Sequence, residues 1–486
     1  MSEKTIFDIS RPGKRCFVSA RPRAGARRPV DLLPARLLRR EPPRLPEVGE
    51  LDLVRHYTRL SRRNVGVTTH FYPLGSCTMK YNPEAMLREA GRSENAYTHP
   101  LAAEADCQGI LKILQETERW LAKISGLPHI SLQPAAGAQG ELAALLVMRK
   151  ALDARGDRER RIILIPDSAH GTNPASATMA GCRTRTVKSS AEGLVSVEDL
   201  KRMAGPDTAG LMITNPNTLG LFERDIREIC RVIHDAGGYV YMDGANLNAI
   251  MGITRPGDFG VDAMHFNLHK TFATPHGMGG PGAGPIGVVD ELAPHLPVPR
   301  IEEREGTLFL DYDRPESIGA VRGFYGNVAV AAMAWTYMNL LGREGIERVA
   351  RTAVLNANYL LSRLREHLPV PHDRQCMHEF VMSAKGLHKE TGVSGMDVSK
   401  AILDRGFHSP TTYFPLIVEE ALMTEPTETE SKDEMDAFAE AVAEIVKLAR
   451  EDPEAVKAAP CRLDRSRPDE VKAMKEPRLR WQPPAE

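Results

Sequence analysis

The chain has 486 residues, 26% of them charged, and a formal net charge of -1. A balance of that kind provides no field to draw in nucleic acid or an anionic membrane, and at ~100–200 residues per domain the length predicts two or three domains. Seven cysteines, Cys16, Cys77, Cys107, Cys182, Cys230, Cys376 and Cys461, are scattered singly, which argues against a disulfide framework or a zinc cluster and for a reducing cytoplasm.

Met1 to Ser10 carries Glu3 and Asp8 and lacks the apolar core of a secretory signal. The Arg- and Pro-rich stretch Arg11 to Arg44 holds too many prolines for an amphipathic targeting helix and is expected to form an extended arm on a neighbouring subunit. Apolar residues at Ile110, Leu111, Leu114, Leu121 and Ile124 predict a helix from Cys107 to Ser125, with Gly126 placed to end it. The small-residue turn Leu132 to Glu141 then opens a helix whose good formers run from Leu142 to Leu152.

β-rich runs follow at Arg161 to Ile165, Arg183 to Lys188, Leu211 to Thr214, Tyr239 to Met242, Ala263 to Asn267 and Ile286 to Val289, with helical patterns at Val197 to Met203 and Ile226 to Ala236. The alternation predicts an α/β domain with a mostly parallel sheet covered on both faces. The most apolar run, Val328 to Leu341, is interrupted by Thr336 and Asn339 and falls short of the ~20 residues that span a bilayer, so it reads as a core helix. Beyond Arg343 the pattern predicts a long helix to Leu368, a β-like run at His378 to Met382, and helices at Met396 to Arg405 and Ser431 to Arg450, a smaller α+β domain. The expected divisions are 1–80 arm and lead-in, 81–344 large domain, 345–455 small domain and 456–486 tail.

Three clusters lie at or just after strand ends, where open α/β sheets place their ligands: Asp167 to Asn173, Tyr241 to Asn246 and His265 to Thr271. Together they match the needs of pyridoxal phosphate, namely an imine-forming lysine, a carboxylate for the pyridine nitrogen, a flat ring to stack, and a phosphate cradle. Lys270 supplies the amine and Asp243 the carboxylate, while His170 and Ala245 stand for the two ring faces and the turn Ala136-Gly137-Ala138 offers N–H groups at a helix N-terminus. Each feature alone is weak: a lysine in His-Lys-Thr is usually solvated and an Asp-Gly pair usually a turn. Their joint occurrence carries the reading. Ser76 and Thr78 serve equally as phosphate or backbone ligands, Cys77 reads as a small buried hydrophobe, and the run Gly277 to Gly284 lacks P-loop order and is expected to bring backbone close to the cofactor.

The stretches His70 to Pro83, Ala136 to Glu141, Asp167 to Ser176, Thr214 to Gly220, Asp243 to Asn248, Asn267 to Gly284, Tyr312 to Pro315, Met377 to Phe380 and Glu425 to Glu430 resemble the glycine cleavage system P-protein over nearly the whole chain. The resemblance implies the aspartate-aminotransferase-like fold of the type I pyridoxal-phosphate enzymes. It further implies that the chain is the C-terminal, cofactor-carrying half, subunit 2, completed by a homologous subunit 1 in a heterotetramer of two copies of each. By resemblance Lys270 carries the Schiff base, His170 stacks, Asp243 pairs with the pyridinium, Asn217 lies near the phenolic oxygen and His269 approaches the phosphate. The implied reaction is decarboxylation of glycine with release of CO2 and transfer of the aminomethyl group to the lipoyl arm of the H-protein. No metal is implied. His70, His99, Arg322 and residues of the other subunit remain open as the clamp for the glycine carboxylate. The competing readings are another enzyme of the same fold, of the serine hydroxymethyltransferase or amino-acid decarboxylase kind, and a cofactor-free structural partner.

Overall fold

The computed structural model describes residues 4–14, 25, 27–41, 43–276 and 282–480. They form two compact units, one of the described residues up to 69 together with 462–480 and one of the described residues from 70 to 461. The smaller unit holds the helix Glu50–Ser61 and the ion pairs Lys14–Asp52 and Arg63–Asp464. Part of the expected arm, 15–24, 26 and 42, and of the glycine run, 277–281, lies outside the described residues.

The larger unit is built on seven strands: β1 (His129–Ser131), β2 (Ile162–Pro166), β3 (Arg183–Val187), β4 (Thr208–Thr214), β5 (Tyr239–Asp243), β6 (Ala263–His265) and β7 (Ile286–Val288). Their order is β1-β7-β6-β5-β4-β2-β3, and only β7 pairs antiparallel with its neighbours. Every residue of β2, β4 and β5 is buried, which explains their nearly unbroken apolar runs: helices cover both faces. Edge strand β3 instead shows Arg183, Thr184 and Thr186 to solvent, blunting an open edge.

The covering helices include α1 (Gln108–Ser125), α2 (Gly137–Ala154), α3 (Thr172–Met179), α4 (Val197–Met203), α5 (Ile226–Asp235), the single turn α6 (Leu268–Thr271) and α7 (Val328–Leu364). Gly126 ends α1 in the left-handed conformation expected of it, φ 74°. Helix α2 starts at Gly137, five residues before the strong helix formers begin. The reason is local: small side chains there do not oppose the turn, and the Gly140 N–H closes on the Ala136 carbonyl at 2.9 Å. The two helices expected on either side of residue 342 are both present, running end to end in α7 and separated by a kink at Gly342 with φ 60° and ψ -172°.

A second core surrounds a three-stranded antiparallel sheet from later in the chain. After the hairpin β8 (Arg300–Arg304) and β9 (Thr307–Asp311) come β10 (Phe380–Ser383), β11 (Thr411–Thr412) and β12 (Ala421–Thr424), ordered β10-β12-β11. Helices α8 (Gly395–Leu403) and α9 (Lys432–Glu451), together with the end of α7, pack Leu360, Leu364, Val398, Phe438, Val442 and Ile445 around it. Ser394 and Ser431 cap α8 and α9 by accepting from Asp397 and Glu434 N–H groups.

Candidate functional site

The carboxyl ends of β4, β5 and β6 meet the N-terminus of α2 around a cleft of about 600 Å³ including its mouth, lined by Gly137, Ala138, Glu141, His170, Thr172, Asp243, Ala245, His269 and Lys270 among others. Parallel strands bring these residues together because all their carboxyl ends point one way.

The Ala136 cap makes no side-chain bond to the end of α2, so the Gly137 and Ala138 N–H groups lack an intrahelical partner, and both residues line the cleft. A Cβ on Gly137 would lie 2.3 Å from Asn267 Nδ2, so that buried amide would have to shift to admit one. Ala136 itself stands just outside the lining.

Asp243 ends β5 and is 3% exposed. Burial alone would push its carboxyl up, but His265, 3.6 Å away, the Lys270 charge, the Ala245 N–H (2.9 Å) and the Asn173 amide (3.2 Å) outweigh that and hold it below its usual value. It is therefore a buried carboxylate that stays ionised. Glu141 on α2 ties this group to His170: it accepts from Thr172 Oγ1 (2.9 Å), Asn173 Nδ2 (3.1 Å) and Ser176 Oγ (3.0 Å). Thr172 Oγ1 in turn lies 2.9 Å from His170 Nδ1, and the exposed His170 ring stands edge-on to Phe414. Lys270 sits in the single turn α6 after β6. Beside it His269 is pushed down to about 3 by burial and by the neighbouring His276 and Lys270 charges, and its buried Nδ1 has no partner.

Asn217 does not line the cleft. Its amide donates to the Gly193 carbonyl and Glu223 Oε1, and its oxygen accepts from the Leu219 and Leu221 N–H groups, so the side chain is used up in stabilising its own loop. Thr214 and Thr218 line the cleft in its place, and Thr214 Oγ1 is buried without a partner. Of the open carboxylate clamps, Arg322 has a buried, unpartnered Nη1.

Sequence reasoning gave no role to a second layer beneath Lys270. His378, Glu379 and Glu425 are each 0% exposed, with ligand-type atoms within 4.8 Å of one another. Burial, then mutual repulsion, pushes the Glu379 carboxyl well up; burial takes Glu425 to about 7, and His378, buried beside Lys270, falls to about 3. The trio is close enough for its members to share a proton or a cation. Its signal in the sequence was two glutamates, 379 and 425, adjoining the apolar strands β10 and β12. Cys77, half-buried nearby, has its thiol pushed up by burial.

Residues 29–301 match the family model described as glycine cleavage system P-protein, and residues 349–461 match that of the glycine dehydrogenase C-terminal domain. The chain belongs to the glycine cleavage system P-protein family. A relative from Caldanaerobacter subterraneus subsp. tengcongensis, named "probable glycine dehydrogenase (decarboxylating) subunit 2", is 52% identical over 98% of both chains. One of the same name from Desulforamulus reducens is 51% identical over 99% of this chain and all of its own. Among solved structures, a glycine decarboxylase (P-protein) in inhibitor-bound form superposes with a TM-score of 0.73 at 23% identity, covering 87% of this chain and 96% of its own. A cysteine desulfurase from Thermococcus onnurineus NA1 superposes at 0.61 and 15% identity over 78% and 95%. The chain thus has the type I fold of the pyridoxal-phosphate enzymes. No described helix is long and apolar enough to cross a membrane.

Proposed function

We propose that this chain is the cofactor-bearing subunit of a two-subunit glycine decarboxylase of the cytoplasm. With a homologous subunit 1, in a heterotetramer of two copies of each, it decarboxylates glycine, releases CO2 and passes the aminomethyl group to the lipoyl arm of the H-protein. The observation that carries the reading is the convergence on one cleft of Lys270, a buried ionised Asp243 and an uncapped helix end.

These residues fit pyridoxal phosphate. Lys270 is the amine that would anchor it, the Gly137 and Ala138 N–H groups with His269 would take its phosphate, and His170 and Ala245 would bound its ring. When bound, the cofactor supplies an electron sink for the pair left as the Cα–carboxylate bond breaks. Asp243 contributes a fixed negative charge that would hold a proton on the ring nitrogen. Glu141, through Thr172 and Asn173, keeps His170 and Asp243 in register, so the two recognition groups move as one. Substrate orientation decides which bond breaks, and the clamp that sets it draws on this cleft and on subunit 1.

The test is release of CO2 from carboxyl-labelled glycine by this chain co-expressed with subunit 1, with and without a lipoylated carrier. Carrier-stimulated release that Lys270→Ala abolishes, with the fold intact by circular dichroism, is the expected result. A soluble, cofactor-loaded complex that releases none would move the assignment to a related reaction on another amino acid.

A further inference from the structure

The segment Gly75–Thr78 is strained in a way its sequence does not require. Ser76 and Thr78 hold φ of 62° and 49°, a region open to glycine and unfavourable for serine and threonine. The conformation is imposed from outside. Ser76 N–H donates to Glu379 Oε2 at 2.7 Å, Thr78 N–H to Glu425 Oε2 at 2.9 Å, and Gly75 N–H to the Met423 carbonyl at 3.3 Å, while Thr411 Oγ1 donates to the Gly75 carbonyl at 2.8 Å. The two glutamates thus hold a clasp over the residues beneath Lys270.

Glycine at position 76 would make the same turn without strain and would offer the same N–H to Glu379. What serine adds is a hydroxyl, and Ser76 lines the cleft with Lys270 and His170. No described residue bonds to the hydroxyl. A non-glycine residue held at positive φ, with its one functional group unspent and facing a ligand cleft, is the pattern of strain retained for binding.

We propose that Ser76 Oγ–H is an oxyanion-binding donor of the cleft, held in place by the Glu379–Glu425 clasp, for the carboxylate of the amino-acid substrate or the phosphate of the cofactor. The naming of those two anions rests on the function proposed above. Glu379 does not oppose an anion at this point, because burial and Glu425 favour its protonated form. Glu379 and Glu425 act as positioning residues; Ser76 alone touches the ligand.

The experiment uses the complex with subunit 1 and two variants, Ser76→Ala and Ser76→Gly. Dissociation constants are measured for pyridoxal phosphate on cofactor-free protein and for glycine on loaded protein, both by absorbance, with thermal midpoints alongside. Losing a hydrogen bond to a charged group is expected to raise one of the two constants by about 10–100-fold in both variants. Ser76→Gly should do so while its thermal midpoint stays level or rises, since it relieves the strain. A weakened cofactor with unchanged glycine binding identifies the phosphate, and the reverse identifies the carboxylate. Wild-type binding of both ligands by Ser76→Gly overturns the proposal, leaving the segment only its backbone role. If the wild-type complex gives no glycine-dependent change, the glycine reading fails and the cofactor titration still decides Ser76.

Discussion

Two buried carboxylates three residues apart, Glu425 and Glu428, sit in clusters that differ in how their charge is matched. Glu428 meets Lys80 at 2.9 Å, the two side chains being 8% and 1% exposed. The Lys80 ammonium is further held by Asn248 Oδ1 and the Thr271 carbonyl, each at 2.8 Å, and lies 3.3 Å from the Tyr337 hydroxyl. Charge is matched and every ammonium proton has an acceptor, which fixes residues 80, 271, 337 and 428 against one another. Glu425 has no such cation bonded to it: its neighbours are Glu379 and His378, both of whose ring nitrogens lack partners. Both clusters keep unspent atoms, Glu428 Oε2 and Asn248 Nδ2 in the first and Glu425 Oε1 with both His378 ring nitrogens in the second, but only the second gathers carboxylates with no bonded cation, as functional sites do.

That contrast can be tested by unfolding. The largest effect is expected from Lys80→Met, which leaves Glu428 buried and unpaired and should cost about 3–5 kcal/mol in urea denaturation. A loss below ~1 kcal/mol would show that the pair is not the anchor described. The second effect is one of pH. The Glu425 carboxyl rises from 4.5 to about 7 on folding, so its favourable contribution is complete below pH 4.5 and lost as pH climbs through 7. Glu425→Gln has no proton to lose. Its stability relative to wild type should improve by on the order of 3 kcal/mol between pH 4.5 and pH 8; a flat difference would mean that the pair holds no excess proton. The smallest effect belongs to Asn248→Ala, which removes one acceptor from Lys80 but also an amide Nδ2 that is itself buried without a partner. A net loss of about 1 kcal/mol or less follows, and a loss matching that of Lys80→Met would mean that the amide, not Glu428, anchors the lysine.

What the sequence disclosed follows the same division. Strands β2, β4 and β5 were legible because burial on both faces writes a nearly continuous apolar run, and Asp243 and Lys270 were legible because they sit where such runs end. Short β1, the β8–β9 hairpin and strands β11 and β12 of the small sheet were not, since two to five residues carry too little periodicity to read. Asn217 was drawn toward the cofactor by resemblance, yet its loop consumes all of its hydrogen-bonding capacity. The layer under Lys270 was hidden for a different reason: Ser76 and Glu379 are 303 residues apart, and Thr78 and Glu425 347, so only the folded chain brings strap and clasp together.

Helix α7 places Val330, Ala334 and Met338 in the core of the large sheet and Leu360, Leu361 and Leu364 in that of the small one. The two cores are thus joined by a single kinked rod that lies outside the cleft lining. The rod has one joint, at Gly342, whose φ of 60° and ψ of -172° only glycine adopts readily. That joint lies among residues of the large-sheet core, with Met338 before it and Ile346, Val349 and Ala350 after it, so the span from Arg343 to Leu364 is packed into both cores at once.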